Sequence, residues 1–176
     1  MVSSRVTASS IVFLALSIST PAQETNFSGT WALDANRSRL IPGGGLARIG
    51  DEGAPRRLHV THGLNGDVTL LSEVNESQAR TYKLNAESEI PVTQDNDMTV
   101  VARWDGARFI VEGTRGDGDS TAVTAVRRIL GLSLNGSVLT IDVLTTTSNG
   151  EQSSLLVYTR TTSVPDCKEW STPCLP

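Results

Sequence analysis

Met98-Thr99-Val100-Val101-Ala102-Arg103-Trp104 runs into Asp105-Gly106 and out again through Ala107-Arg108-Phe109-Ile110-Val111-Glu112. Two β-prone runs flank a dipeptide suited to a two-residue turn, because glycine takes positive φ without a steric penalty. The stretch predicts an antiparallel hairpin.

The same device recurs in both directions. Downstream, residues 121–134 lead through Asn135-Gly136 into 137–145, and Ser148-Asn149-Gly150 turns into 153–161. Upstream, 58–62 and 68–74 are joined by Gly63-Leu64-Asn65-Gly66-Asp67, and 79–84 follows. The first strand candidate is Phe27-Ser28-Gly29-Thr30-Trp31-Ala32-Leu33, whose odd positions share a face. Thr and Val are dense throughout, and helical periodicity is scarce. About nine strands therefore follow one another, roughly ten residues apart. The expected fold is all-β, an antiparallel up-and-down meander of about eight to ten strands. Such a meander tends to close into a barrel, since closure removes exposed edges; a sandwich is the alternative.

Two stretches interrupt the rhythm. Residues 37–57 contain Pro42-Gly43-Gly44-Gly45 and Pro55 and read as a long connection, with one helical turn at most over 47–51. Residues 86–97 are polar and acidic, and read as a loop or a frayed edge strand. No internal repeat suggests a propeller or solenoid.

The ends of the chain carry separate signals. Residues 1–10 are polar with one cation, Arg5, and are followed by the apolar run Ile11-Val12-Phe13-Leu14-Ala15-Leu16-Ser17-Ile18 and the small-residue exit Thr20-Pro21-Ala22. This order describes a secretory signal over 1–22, and the apolar run is too short to span a membrane. The expected organisation is a signal peptide over 1–22, one β-barrel domain over 23–161 and a tail over 162–176, exported to the periplasm or the medium. Cys167 and Cys174 both lie in that tail, where an oxidising compartment would join them as one disulfide closing a small loop.

The formal net charge of −4 becomes about −5 once Arg5 is removed. An acidic chain without a basic cluster is a poor partner for nucleic acid or anionic membranes.

No motif for catalysis or metal stands out. His59 and His62 are the only histidines, and a spacing of three on a strand puts them on opposite faces, so they do not share a metal. Gly131-Leu132-Ser133-Leu134-Asn135-Gly136 has one residue too many for a nucleophile elbow and leads into a hairpin rather than a helix. Asp95-Asn96-Asp97 and Asp117-Gly118-Asp119 do not fit a calcium loop, because Val100 and Arg128 occupy the positions that need glycine and glutamate. Gly43-Gly44-Gly45 lacks the lysine and hydroxyl of a phosphate loop. The expectation is a non-enzyme with no cofactor and no metal.

Three elements in order resemble the calycins, the group containing lipocalins and fatty-acid-binding proteins. Gly29-Thr30-Trp31 is similar to their Gly-x-Trp opening strand, Trp104-Asp105-Gly106 to the fatty-acid-binding-protein hairpin, and Val157-Tyr158-Thr159-Arg160 to the closing strand. The layout of 26–161 also resembles small secreted bacterial proteins described as lipocalin-like. The resemblance implies structural roles for Gly29, Trp31 and Trp104, and for Arg160 stacked over Trp31 at one barrel end. It further implies a ligand carboxylate held by an arginine two residues before the closing-strand tyrosine. Here Leu156 stands at that position, so only Tyr158 of that pair remains.

A ligand would sit in the barrel interior. If Trp31 and Arg160 face inward, alternation turns Leu156 and Tyr158 inward too. Parity alone does not decide between Arg127 and Arg128 on the strand before Gly131, and the interior could be open or packed shut. The candidate ligand-binding residues are Tyr158, Leu156 and Arg128. The expected function is non-catalytic binding of a small apolar or amphipathic molecule. The alternative is a closed barrel that acts through its surface on a protein partner or as an inhibitor.

Overall fold

A computed structural model describes residues 25–40, 54–72, 79–93, 96–116 and 123–162. They form ten antiparallel strands and no helix: β1 (Gly29–Leu33), β2 (Arg57–His62), β3 (Val68–Ser72), β4 (Arg80–Tyr82), β5 (Glu87–Thr93), β6 (Asn96–Asp105), β7 (Arg108–Gly116), β8 (Val123–Leu132), β9 (Val138–Thr147) and β10 (Gly150–Thr161). The sheet order β4-β3-β2-β1-β10-β9-β8-β7-β6-β5 is a pure meander, except that β1 lies between β2 and β10. That one placement joins the start of the meander to its end and closes the sheet into a barrel-shaped wall, open only where β4 and β5 meet. The barrel expectation holds over the sandwich.

The tenth strand is β5, within the acidic stretch expected to be a loop or frayed edge. Its residues alternate, Ser88 and Ile90 buried against Glu87 and Glu89 exposed, so acidic composition hid a period of two. β5 pairs with β6 on one side only, and its register shifts between Pro91 and Thr93. An edge strand tolerates proline because the missing N–H costs no ladder bond. No ladder joins β4 to β5. The Lys83 amide donates to Ser88 Oγ at 2.9 Å and the Asn85 amide to the Ala102 carbonyl at 2.8 Å, which staples one end of the gap.

The β6–β7 hairpin forms as expected, but its two-residue turn is Gly106-Ala107 rather than Asp105-Gly106: Asp105 is still in the strand, paired in register with Arg108, and Gly106 has φ 59°. The Asn135-Gly136 connection is wider than a two-residue turn. Ser133 N–H donates to the Val138 carbonyl at 2.9 Å and Gly136 N–H to the Ser133 carbonyl at 2.8 Å. Asn135 Oδ1 accepts from the Ser133 and Ser137 hydroxyls and organises that loop from within.

Strand alternation sends one set of side chains inward. On β8 this set is Thr124, Val126, Arg128 and Leu130; on β10 it is Ser154, Leu156 and Tyr158. Trp31, Tyr82, Tyr158, Phe27 and Phe109 are the largest fully buried side chains, joined in one cluster with Val60, Ile90, Met98, Leu130 and Leu139. Burying each large apolar side chain contributes about 1.5–3 kcal/mol, so this interior holds the wall together.

Candidate functional site

One end of the barrel is built on β1 and the residues leading into it. The Arg160 guanidinium carbon lies 4.3 Å from the Trp31 ring centroid. Its Nη1 donates to the Ser28 carbonyl at 2.8 Å and its Nε to the Gly136 carbonyl at 3.0 Å. The guanidinium crosses directly over Gly29, whose φ of 140° and lack of a side chain leave room for it. Trp31 Nε1 donates to the Phe27 carbonyl at 3.0 Å, and the Phe27 ring stacks on Trp104 with centroids 5.5 Å apart. Trp104 meets Phe109 edge-on at 5.1 Å. Gly29, Trp31, Trp104 and Arg160 thus sit together at one closed end, made of aromatic surface with a single cation over it.

Tyr158, Leu156 and Arg128 come together elsewhere, deep in the interior. They line a cavity of about 40 Å³ with Arg80, Tyr82, Leu58, Leu70, Leu130, Ile141 and Val143. Arg128 faces inward at 5% exposure, while Arg127 faces outward and pairs with Glu112 at 3.1 Å. This settles the question that parity left open. Arg128 Nη1 donates to the Tyr82 hydroxyl at 2.8 Å, across the interior from β8 to β4.

Arg80 was missed by sequence reasoning. It is 6% exposed and lines the same cavity, two residues before the fully buried Tyr82. The signal was present in Arg80-Thr81-Tyr82, where a period of two puts both outer residues on one face. The polar groups of the cavity wall are two guanidiniums and two phenols, set among leucine, isoleucine and valine. All four offer N–H or O–H donors, and a guanidinium stays charged when buried. The arrangement can receive a compact anion whose remainder is apolar.

Larger hollows lie on the outer wall. One, of about 460 Å³, runs across β5 to β9 past Glu87, Val101, Glu112, Arg127 and Leu144. There Glu112 bridges Arg103 at 3.6 Å and Arg127 at 3.1 Å, with all three side chains well exposed. Another, of about 290 Å³, lies over Ile129, Leu144 and Leu155 between Arg39 and Asp142. Both are open to solvent.

His59 and His62 face opposite sides of β2, as their spacing requires. His59 is outside, with Nδ1 3.0 Å from the Thr30 hydroxyl, and burial lowers its pKa from the usual imidazole value. His62 is at the closed end, where Nε2 accepts the Phe27 amide at 3.1 Å. Among the described residues no group of three or more His, Cys, Asp or Glu could hold a metal ion. No helix among them is long and apolar enough to cross a membrane. The signal stretch over 1–22, Cys167 and Cys174, residues 41–53 of the long connection, Asp95 and Asp117-Gly118-Asp119 lie outside the described residues.

No protein-family model matches the chain. No curated protein matches it in sequence. Solved structures do match in fold. A secretory abundant heat soluble protein from Ramazzottius varieornatus superposes with a TM-score of 0.57 at 11% identity, covering 81% of this chain and 100% of that one. The zebrafish ileal bile acid-binding protein complexed with cholic acid gives 0.51 at 12% identity, covering 77% of this chain and 98% of its own. At such identities the likeness concerns the fold, which is calycin-like.

Proposed function

We propose that this chain is an exported, non-catalytic barrel that binds a small amphipathic molecule, with an anionic group against Arg80 and Arg128 and an apolar remainder among Leu58, Leu70, Leu130 and Leu156. The observation that carries this reading is the convergence of Arg80, Arg128, Tyr82 and Tyr158 in an otherwise apolar interior. A carboxylate or sulfonate would take charge-assisted hydrogen bonds from both guanidiniums. The scaffold is compatible, since the bile acid-binding neighbour holds cholic acid on the same fold. Export rests on the order of cation, apolar run and small residues over 1–22.

A second reading has one observation in its favour. The interior cavity of about 40 Å³ admits water but falls far short of the roughly 300–1,000 Å³ of ordinary ligand pockets. A ligand must therefore move side chains aside. If the interior stays shut, the protein acts through its outer wall.

Native mass spectrometry of protein purified from its own export compartment separates the two readings. Bound mass that is lost on denaturation, and absent from an Arg80→Leu/Arg128→Leu variant that still folds, supports interior binding. A bare chain that also fails to enhance the fluorescence of an anilinonaphthalene sulfonate overturns it in favour of the outer wall.

A further inference from the structure

The two histidines of this chain hold the same short segment, one from each side of β2. His62 Nε2 accepts the Phe27 amide at 3.1 Å, and its ring lies 5.7 Å from the Phe27 ring and 6.2 Å from Trp104. His59 Nδ1 meets the Thr30 hydroxyl at 3.0 Å. Between these two contacts lie Ser28 and Gly29, the residues under the Arg160 guanidinium. Phe27 itself is fully buried and supplies the carbonyl that binds Trp31 Nε1. The closed end of the barrel therefore depends on how the segment from Phe27 to Thr30 is held.

We infer that His62 forms an acid-sensitive latch on this segment, closed while its imidazole is neutral and released when it takes up a proton, with His59 bracing the same segment from the other side of β2. The asymmetry of the His62 bond supplies the reason. Its Nε2 accepts, so it needs a lone pair, and a protonated imidazole has two N–H groups and none to offer. Protonation turns an N–H···N bond into two facing donors and leaves a buried amide unpaired, a costly state. His59 acts differently, because a protonated Nδ1 can still donate to Thr30 Oγ1. Its resistance to charge comes from burial, which lowers its pKa.

Charged groups stand on the surrounding elements, and Asp67, Asp105 and Arg160 among them are engaged with other partners. On β2, Arg57 shares the outer face with His59. The register partner of His59 on β3 is Leu71 and on β1 is Thr30, neither of which is charged. Near His62, the β2–β3 turn carries Asp67, whose Oδ1 accepts the Leu84 amide. Asp105 beside Trp104 pairs with Arg108 at 3.4 Å, and Arg160 on β10 is held on the Ser28 and Gly136 carbonyls.

Opening this end exposes Phe27 and Trp31, so the barrel loosens as the medium acidifies, whatever its interior binds. The latch stands independently of ligand binding and is tested without a ligand. In the protein labelled with nitrogen-15, a titration from about pH 7.5 to about pH 5 follows the two imidazoles and the Phe27 amide together. The Phe27 amide shift should move with the His62 titration, and its hydrogen-exchange protection should fall roughly tenfold or more over that range. His62→Gln supplies an acceptor that does not titrate, so its Phe27 protection should stay flat. A Phe27 amide indifferent to His62 protonation in the unaltered protein overturns the latch, with no variant needed. Equal acid sensitivity in a folded His62→Gln protein overturns it as well.

Discussion

The Nη1 of Arg128 donates to the hydroxyl of Tyr82 at 2.8 Å, tying β8 in the long side of the sheet to β4 at its open edge. β4 is three residues long, pairs with β3 through three register positions and has no ladder to β5. The bond across the interior is therefore a main restraint on that edge.

Removing the hydroxyl should loosen this edge more than it destabilises the molecule elsewhere. Tyr82→Phe should lower stability by about 1.5–3 kcal/mol, the usual range for a hydrogen bond to a charged group. Urea unfolding measures the loss. Hydrogen exchange should place it in β3 and β4, and a loss shared equally by β8 and β9 would contradict the restraint.

Gly29 should not tolerate a side chain. An alanine methyl there would meet the Arg160 guanidinium, at a φ of 140° that L residues rarely adopt. Gly29→Ala should cost about 1–3 kcal/mol through strain and loss of the Arg160 contacts. Trp31 emission should change as the cation leaves its ring. Arg160→Leu should shift the same emission at a smaller cost, since a partly exposed cation–π contact contributes about 0.5–1 kcal/mol.

Gly113 is a second position with no space. A Cβ there would lie 2.5 Å from Val100 Cγ1 and 2.6 Å from the Thr99 carbonyl oxygen. Gly113→Ala should lower the unfolding midpoint by the equivalent of about 1–3 kcal/mol, since backbone on β6 must shift to admit the methyl. Val100→Ala in the same chain should recover part of that loss, and thermal melts of the single and double variants would show whether it does.

Stability should fall on the acid side of neutrality through His59. Its folded pKa lies below the unfolded value of 6.5, so the unfolded chain takes up the proton first. The contribution is complete above that value and is lost as pH drops below it towards the folded pKa. His59→Gln should flatten this part of the stability profile. Denaturant midpoints measured at successive pH values would expose an unchanged slope, which would count against the assignment.

Much of the wall was legible in the residues. Asp105-Gly106 marked the β6–β7 hairpin, because a tight turn needs a local conformation that glycine supplies by itself. Gly29, Trp31 and Arg160 could be placed at one end by resemblance to a family motif. β5 was harder to see. Glu87 and Glu89 on its exposed face masked the buried Ser88 and Ile90, and an edge strand with a single partner carries a weaker pattern. Arg80 was harder still. A charged residue reads as surface by default, and only its partners across the barrel make it interior.

By itself, the sequence determined the local chemistry: strand propensity, the turns, and an inward face on each strand once one residue on it is known. These depend on residues within a few positions of one another. The tertiary structure decided which parity is inside on β8, where Arg128 rather than Arg127 turned inward, because closure of the sheet sets the concave face. It also brought Arg80 and Tyr82 to Arg128 and Tyr158, and both histidines to the lead into β1. Strand alternation assigns a side chain to a face. Only the closed sheet determines what stands opposite it.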